Sequence, residues 1–351
     1  MQLEGIIMTC SVAMREHRST SAIFNIMTGK KSIQTVQDVH IYQLGTFYGV
    51  YKELQKYAFD QTVTTMMNNQ WLRQIDAHTM TPTHLGEKWL QQTSLNLQHF
   101  NGLAYSNVEP VFSSRLLLLI QTLTNTAQGH YSFIPVEDDR YITQWVKSVF
   151  KQINKPHQAL KAIYDELYDI LNTLTELEAS LFVDRLTGYQ HYGMSTPQLA
   201  HKYHLDIHTV KLLLKKVHHQ IMRQVSEGHH YPTLSMIRAD LQQSNMITQS
   251  AKQTYALLKK QYTLEQIALI RQLKLNTIYD HLVEIVYVDA NMSLEPYVSN
   301  QTEQEIIEAI YETQSFRLKE IKQRVHSDVS YFQIRLVLAA LQRTGDINGV
   351  L

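Results

Sequence analysis

The sequence predicts a mostly α-helical protein, a multi-domain array of helix-turn-helix and winged-helix units, on three observations. Glycine (12) and proline (7) are scarce in 351 residues, while leucine, glutamine, lysine and isoleucine abound; that composition favours helix and leaves few long loops. A 44% hydrophobic fraction supports real cores over a length that suits two to four domains. The stretch Ser195–Leu214, STPQLAHKYHLDIHTVKLLL, also recurs sixty-eight residues later as Thr263–Leu282, TLEQIALIRQLKLNTIYDHL. The matched positions are Gln198/Gln266, Leu199/Ile267, Ala200/Ala268, Leu205/Leu273, Thr209/Thr277, Val210/Ile278 and Leu214/Leu282. A small residue where two helices cross, a leucine plugging the turn and an aliphatic inward face on the second helix make a helix-turn-helix pattern.

In chain order, residues 1–95 are expected to form a helical, winged-helix-like domain. Gly5–Met14 is apolar enough for a signal-peptide core, but Glu4 precedes it and no Lys or Arg does, so it reads as a core helix. Ile23, Ile26 and Met27 at helical spacing end at Gly29, a C-cap. A second helix from Ser32 turns Ile33, Val36, Val39 and Leu44 inward, and a helix over 62–69, an apolar run at 71–75, a turn around Ala77–His78 and the segment 80–90 follow in the order of a winged helix, where a recognition-type helix feeds a small hairpin. Residues 96–155 read as helical scaffold with one strong helix, Ser113–Gln128. A domain over 156–228 opens at Pro156 with the stripe Leu160, Ile163, Leu167, Ile170, Leu171 and Leu174. It continues through TELEASLFVDRLTG into the first repeat, where Asp206 is a good N-cap and His204 stands where many such turns carry glycine. Ser226–Thr233 reads as a linker. Residues 229–351 hold a helix over 234–244, the second repeat, and three helices over 302–313, 318–325 and 330–343 in winged-helix order, with 345–351 as a stub of wing.

Residues 175–217 resemble region 4 of sigma factors and related regulators. Residues 250–343 resemble the helix-turn-helix module near the C-termini of some RecQ-type helicases. Through YTLEQIALIRQLKLNTIYDHLVEIV (262–286), LKEIKQRVHSDVSYFQIRLVLAAL (318–341) and, more weakly, GKKSIQTVQD (29–38), the whole chain resembles the YpbB family of small bacterial proteins, typically encoded beside a RecQ-type helicase gene. That resemblance implies a helicase-associated, non-catalytic role and supplies no catalytic residues.

In a docked unit of this type the first residues of the second helix, and those one turn on, face the groove. In the first repeat the expected DNA contacts are Lys202, His208, Thr209, Lys211, Lys215 and Lys216, although apolar Leu212 shares their face. In the second, Lys274 and Asn276 lead, with Lys259, Lys260 and Arg271 holding backbone from the side; asparagine pairs bidentately with adenine. Tyr279, Asp280 and Val283 suit a protein partner better, because a carboxylate repels phosphate. The acidic run Glu284, Asp289, Glu295, Glu303, Glu305, Glu308 and Glu312 reads as a solvated face or as a docking surface for a basic partner, with Glu303 and Glu305 at its centre. Arg324 and Arg335 make the last winged helix a further DNA candidate.

Equal numbers of basic and acidic side chains, 32 each, leave no general pull on nucleic acid, so any binding is local. The single Cys10 cannot form an internal disulfide, which fits a reducing compartment, and the apolar run Leu116–Ile120 is far too short to span a bilayer. A cytoplasmic protein is expected. GKKS at 29–32 ends like a phosphate-binding loop, but the first glycine of that motif is Phe24 here. The pairs His201/His204, His218/His219 and His229/His230 lack cysteines or convergent carboxylates, so neither metal nor cofactor is expected. The resulting expectation is a DNA-binding or adaptor partner of a RecQ-type helicase in repair or recombination. A sequence-specific transcription regulator and a protein-interaction scaffold are the alternatives, and an enzyme is not expected.

Overall fold

The computed structural model describes residues 1–93, 95–227, 231–241, 247–289 and 291–344. Over these the chain is helical apart from one hairpin, as its composition predicts. The expected wing at 345–351 and His229/His230 lie outside the described residues.

The first region comprises α1 (Gln2–Met14), α2 (Thr20–Thr28), α3 (Ile33–Ile41), α4 (Lys56–Asn68), the strands β1 (Leu72–Gln74) and β2 (Met80–Pro82), and α5 (His84–Gln92). Gly29 ends α2 at φ 69°, the left-handed cap that glycine adopts without a Cβ penalty, and Ser32 caps α3 by accepting the Thr35 N–H. The strands pair antiparallel with Arg73 opposite Thr81. α1 is the centre of this region: Ile6, Ile7, Met8 and Cys10 are fully buried, and burial pushes the Cys10 thiol far up, into an inert state.

The middle of the chain holds α6 (Gly102–Tyr105), α7 (Glu109–Ala127), α8 (Arg140–Gln152), α9 (Pro156–Leu171), α10 (Glu176–Arg185), α11 (Thr196–Lys202), α12 (Ile207–Ser226) and α13 (Pro232–Arg238). One core joins α7, α8, α9 and α13 to the second half of α12, crossing residue 155, so the expected scaffold and the first repeat are built together. Buried Arg115 on α7 locks α13 in place: it bonds Asp240 through both carboxylate oxygens (2.5 and 2.8 Å) and lies 4.2 Å from the Trp145 ring.

The last part has α14 (Gln249–Leu258), α15 (Leu264–Arg271), α16 (Leu275–Val288), α17 (Asn300–Thr313), α18 (Leu318–Lys322) and α19 (Tyr331–Thr344). Its core is continuous with that of the first region, through α3 against α16 and α19; there His40 stacks on Tyr287 at 4.0 Å.

Candidate nucleic-acid interface

The two repeats are built alike down to single hydrogen bonds. The N–H of Ser195 donates to Gln198 Oε1 (2.8 Å) and that of Thr263 to Gln266 Oε1 (2.9 Å), so each first helix starts from the same reciprocal cap. Thr196 and Pro197 are the first two residues of that helix. At the turns, Leu205 N–H donates to Ala200 O (2.9 Å) and Leu273 N–H to Ala268 O (3.0 Å). His204 and Gln272 occupy equivalent left-handed positions at φ 52° and 53°, where a Cβ costs about 1–2 kcal/mol. Val210, Ile278, Leu214 and Leu282 are buried as their spacing predicts, and Asp206 caps α12 by accepting the Thr209 N–H at 2.8 Å.

The outward faces differ from expectation, because each second helix has a cover. On α12 the cover is α1. Thr209 is buried, and its hydroxyl accepts from the Met1 nitrogen (2.7 Å) and the Gln2 N–H (3.3 Å). Leu212 is fully buried in the core that contains α1. Lys216 is 2% exposed and pairs with buried Glu178 at 2.5 Å. Lys215 lies between Glu53 (3.5 Å) and Glu109 (3.6 Å). His208 Nδ1 shares a hydrogen with the Tyr51 hydroxyl at 2.7 Å, and Lys211 sits over the same ring at 5.7 Å. Lys202 stays exposed but is paired with Asp184. The face expected to be the better DNA reader is therefore largely an internal interface: Lys202, Lys215 and Lys216 are neutralised within the chain, and Lys211 is set against the Tyr51 ring. Leu212→Ala is expected to cost about 2–5 kcal/mol, seen as a lower urea midpoint; a leucine facing DNA would lose almost nothing.

On α16 the cover is α19. Tyr279 stacks on Phe332 at 4.0 Å, Asp280 accepts from Arg335 at 2.6 Å, and Val283 is fully buried. Of the three residues expected to meet a protein partner, Tyr279 and Asp280 meet the last helix of the same chain and Val283 lies in the core, and Arg335 is engaged there rather than on phosphate. Arg271 is spent on α14, donating to Ser250 O (2.6 Å), Thr254 Oγ1 (2.6 Å) and Gln253 Oε1 (2.8 Å). Glu284 leaves the acidic surface: buried, with its carboxyl pushed up by desolvation, it accepts the Thr248 N–H at 2.9 Å. Glu305 accepts the His326 N–H, and Glu303 is half-buried in the first turn of α17.

Lys259, Lys260, Lys274, Asn276 and Arg324 remain in solvent. Lys274 is the N-cap of α16 and Asn276 its second residue, the positions that enter a groove in a docked unit. Just before them, α15 exposes Leu269 (79%) and Ile270 (53%), an apolar pair that the repeat does not single out, since His201 and Lys202 stand at the matching positions. The covers themselves had a legible signal: Leu212 and Val283 are apolar at positions that should be wet.

Residues 250–338 match the model of a family described as a helix-turn-helix domain. The chain is 27% identical over 337 residues to Protein YpbB of Bacillus subtilis (strain 168), covering 95% of this chain and 96% of that protein. No solved structure matches it. Residues 250–338 are thus similar to a helix-turn-helix domain family, in a chain similar to Protein YpbB over nearly its whole length.

Proposed function

We propose that the protein is a non-catalytic, cytoplasmic DNA-binding adaptor that works with a RecQ-type helicase in repair or recombination. The observation that carries the DNA part is the solvent exposure of Lys274 and Asn276 at the start of α16, within the helix-turn-helix domain of residues 250–338. Lys274 suits phosphate, and Asn276 suits an adenine edge with discrimination of about 1–3 kcal/mol. The first repeat supports this role less, since α1 covers it, and the transcription-regulator alternative loses the element that favoured it. Support for the helicase partner comes from the resemblance of 250–343 to a module of such enzymes. The exposed pair Leu269/Ile270 favours a second reading, a protein-interaction scaffold.

Duplex titration at roughly 50 and 200 mM salt tests the first reading. Affinity is expected to fall steeply with salt and to weaken again in Lys274→Glu. Capture of the helicase by Leu269→Asp/Ile270→Asp and by Lys274→Glu separates the readings. Loss of helicase only in the first variant, with no salt-dependent DNA binding by any form, would leave the scaffold alone standing.

A further inference from the structure

A cleft of about 360 Å³ opens beside the helix-turn-helix, between the end of α14 and the connector after α16. Its volume lies within the ~300–1,000 Å³ of small-molecule sites. Tyr255, Tyr262 and Tyr297 line it, together with Lys259, Asp289 and Asn291. Tyr262 is 40% exposed. The Lys259 ammonium lies 4.3 Å from the centre of the Tyr255 ring, and the next residue, Lys260, is also in solvent. Asp289 keeps its negative charge, since the Tyr255 hydroxyl on Oδ2 and the Asn291 N–H on Oδ1 (3.0 Å) hold its carboxyl below the ordinary value; the nearby Lys259 and Arg343 charges offset that charge. Arg343 adds a cation at its backbone carbonyl, 2.7 Å away.

Aromatic faces next to solvent-exposed lysines in an open slot are the chemistry of base stacking along a single strand, where each base has a π-face and each phosphate a charge. A protein segment would find little aliphatic lining here: Leu258 and Met292 are the aliphatic members. We propose that this cleft receives an unpaired base of single-stranded DNA, with Tyr262 as stacking platform and Lys259 and Lys260 on the flanking phosphates. The inference rests on the DNA-binding reading and gives it a second strand type, in a cleft whose lining does not include Lys274. A protein holding a duplex at α16 and an unpaired base in this cleft would sit at a junction between the two.

The full chain is titrated with an oligothymidylate of roughly 12 nucleotides, the matching RNA and a duplex. Tyr262→Ala and Lys259→Ala are each expected to weaken single-strand binding about ten-fold, within the ~1–3 kcal/mol that one stacked base contributes, while Tyr262→Trp retains it. Duplex affinity should be unchanged in all three. Single-strand binding that is indifferent to Tyr262→Ala and Lys259→Ala would overturn the inference while leaving duplex binding through Lys274 intact. Conversely, Tyr262-dependent single-strand binding with no effect of Lys274→Glu on duplex would remove the α16 site and leave the cleft standing. A stronger response with RNA than with DNA would overturn the assignment to DNA.

Discussion

Replacing Lys216 with methionine is expected to lower the unfolding free energy by about 3–5 kcal/mol, the cost of stranding a buried carboxylate. Lys216 and Glu178 are 2% and 3% exposed, and their charged atoms are 2.5 Å apart. Burial alone would push the Glu178 carboxyl up, but the Lys216 hydrogen bond, the Thr175 N–H and the Lys216 charge outweigh it and hold the group below its ordinary value. The same carboxylate closes the cap of α10, so losing the lysine leaves an anion that cannot leave without uncapping the helix. In the double variant Lys216→Met/Glu178→Gln the anion is gone, and much of the loss should return. Urea midpoints of the three forms decide it. A single-variant loss below about 1 kcal/mol would mean the pair is effectively solvated.

Acidification from pH 6.5 to 4 is expected to destabilise the protein through two histidines, half-buried His40 and buried His219. Desolvation lowers His40, stacked on Tyr287, to about 4. Desolvation likewise lowers His219 to about 4, although the nearby Glu109 charge opposes it, and its Nδ1 accepts the Asn101 N–H at 3.0 Å. Because these folded-state values lie below the ordinary 6.5, the unfolded chain binds more protons throughout that window. Stability is then full above pH 6.5 and falls towards pH 4, by on the order of 3 kcal/mol for each histidine. Glu109 acts lower: burial pushes it up, but the His218 hydrogen bond and the charges of His218 and Lys215 bring it down to about 2, so its contribution is lost only as pH falls from 4.5 towards 2. Urea midpoints at pH 7.0, 5.5 and 4.5 should decline in the parent and less in His40→Gln and His219→Gln. A flat parent profile would exclude both sites.

The periodicity that marks Ser195–Leu214 and Thr263–Leu282 as twins reports positions that must pack against their own unit, and there the sequence reading holds: alanines at the crossings, leucines in the turns, Val210 and Ile278 inward. Equivalent positions can be buried for different reasons, however. Lys216 and Glu284 are both buried charges sixty-eight residues apart, one reaching the cap glutamate of α10 and the other supplying the acceptor that caps Thr248 before α14. Their shared burial is visible only when the preceding helix is in place.

Helix content, the hairpin between α4 and α5, the left-handed cap at Gly29 and both helix-turn-helix units follow from local rules of propensity, capping and spacing, each acting within a few residues. The sequence by itself determined those elements and the resemblance that identifies the C-terminal domain. Tertiary structure alone decided which surfaces of the two units stay wet. α1 lies some two hundred residues from α12 in sequence, and the Asp280–Arg335 pair joins α16 to α19 across 55 residues. No local pattern encodes such a pairing, because a lysine or threonine on an amphipathic helix looks equally exposed until another element covers it. The cover left Lys274, Asn276 and the tyrosine cleft outside, put Thr209, Lys216 and Val283 inside, and tied half-exposed Asp280 to Arg335.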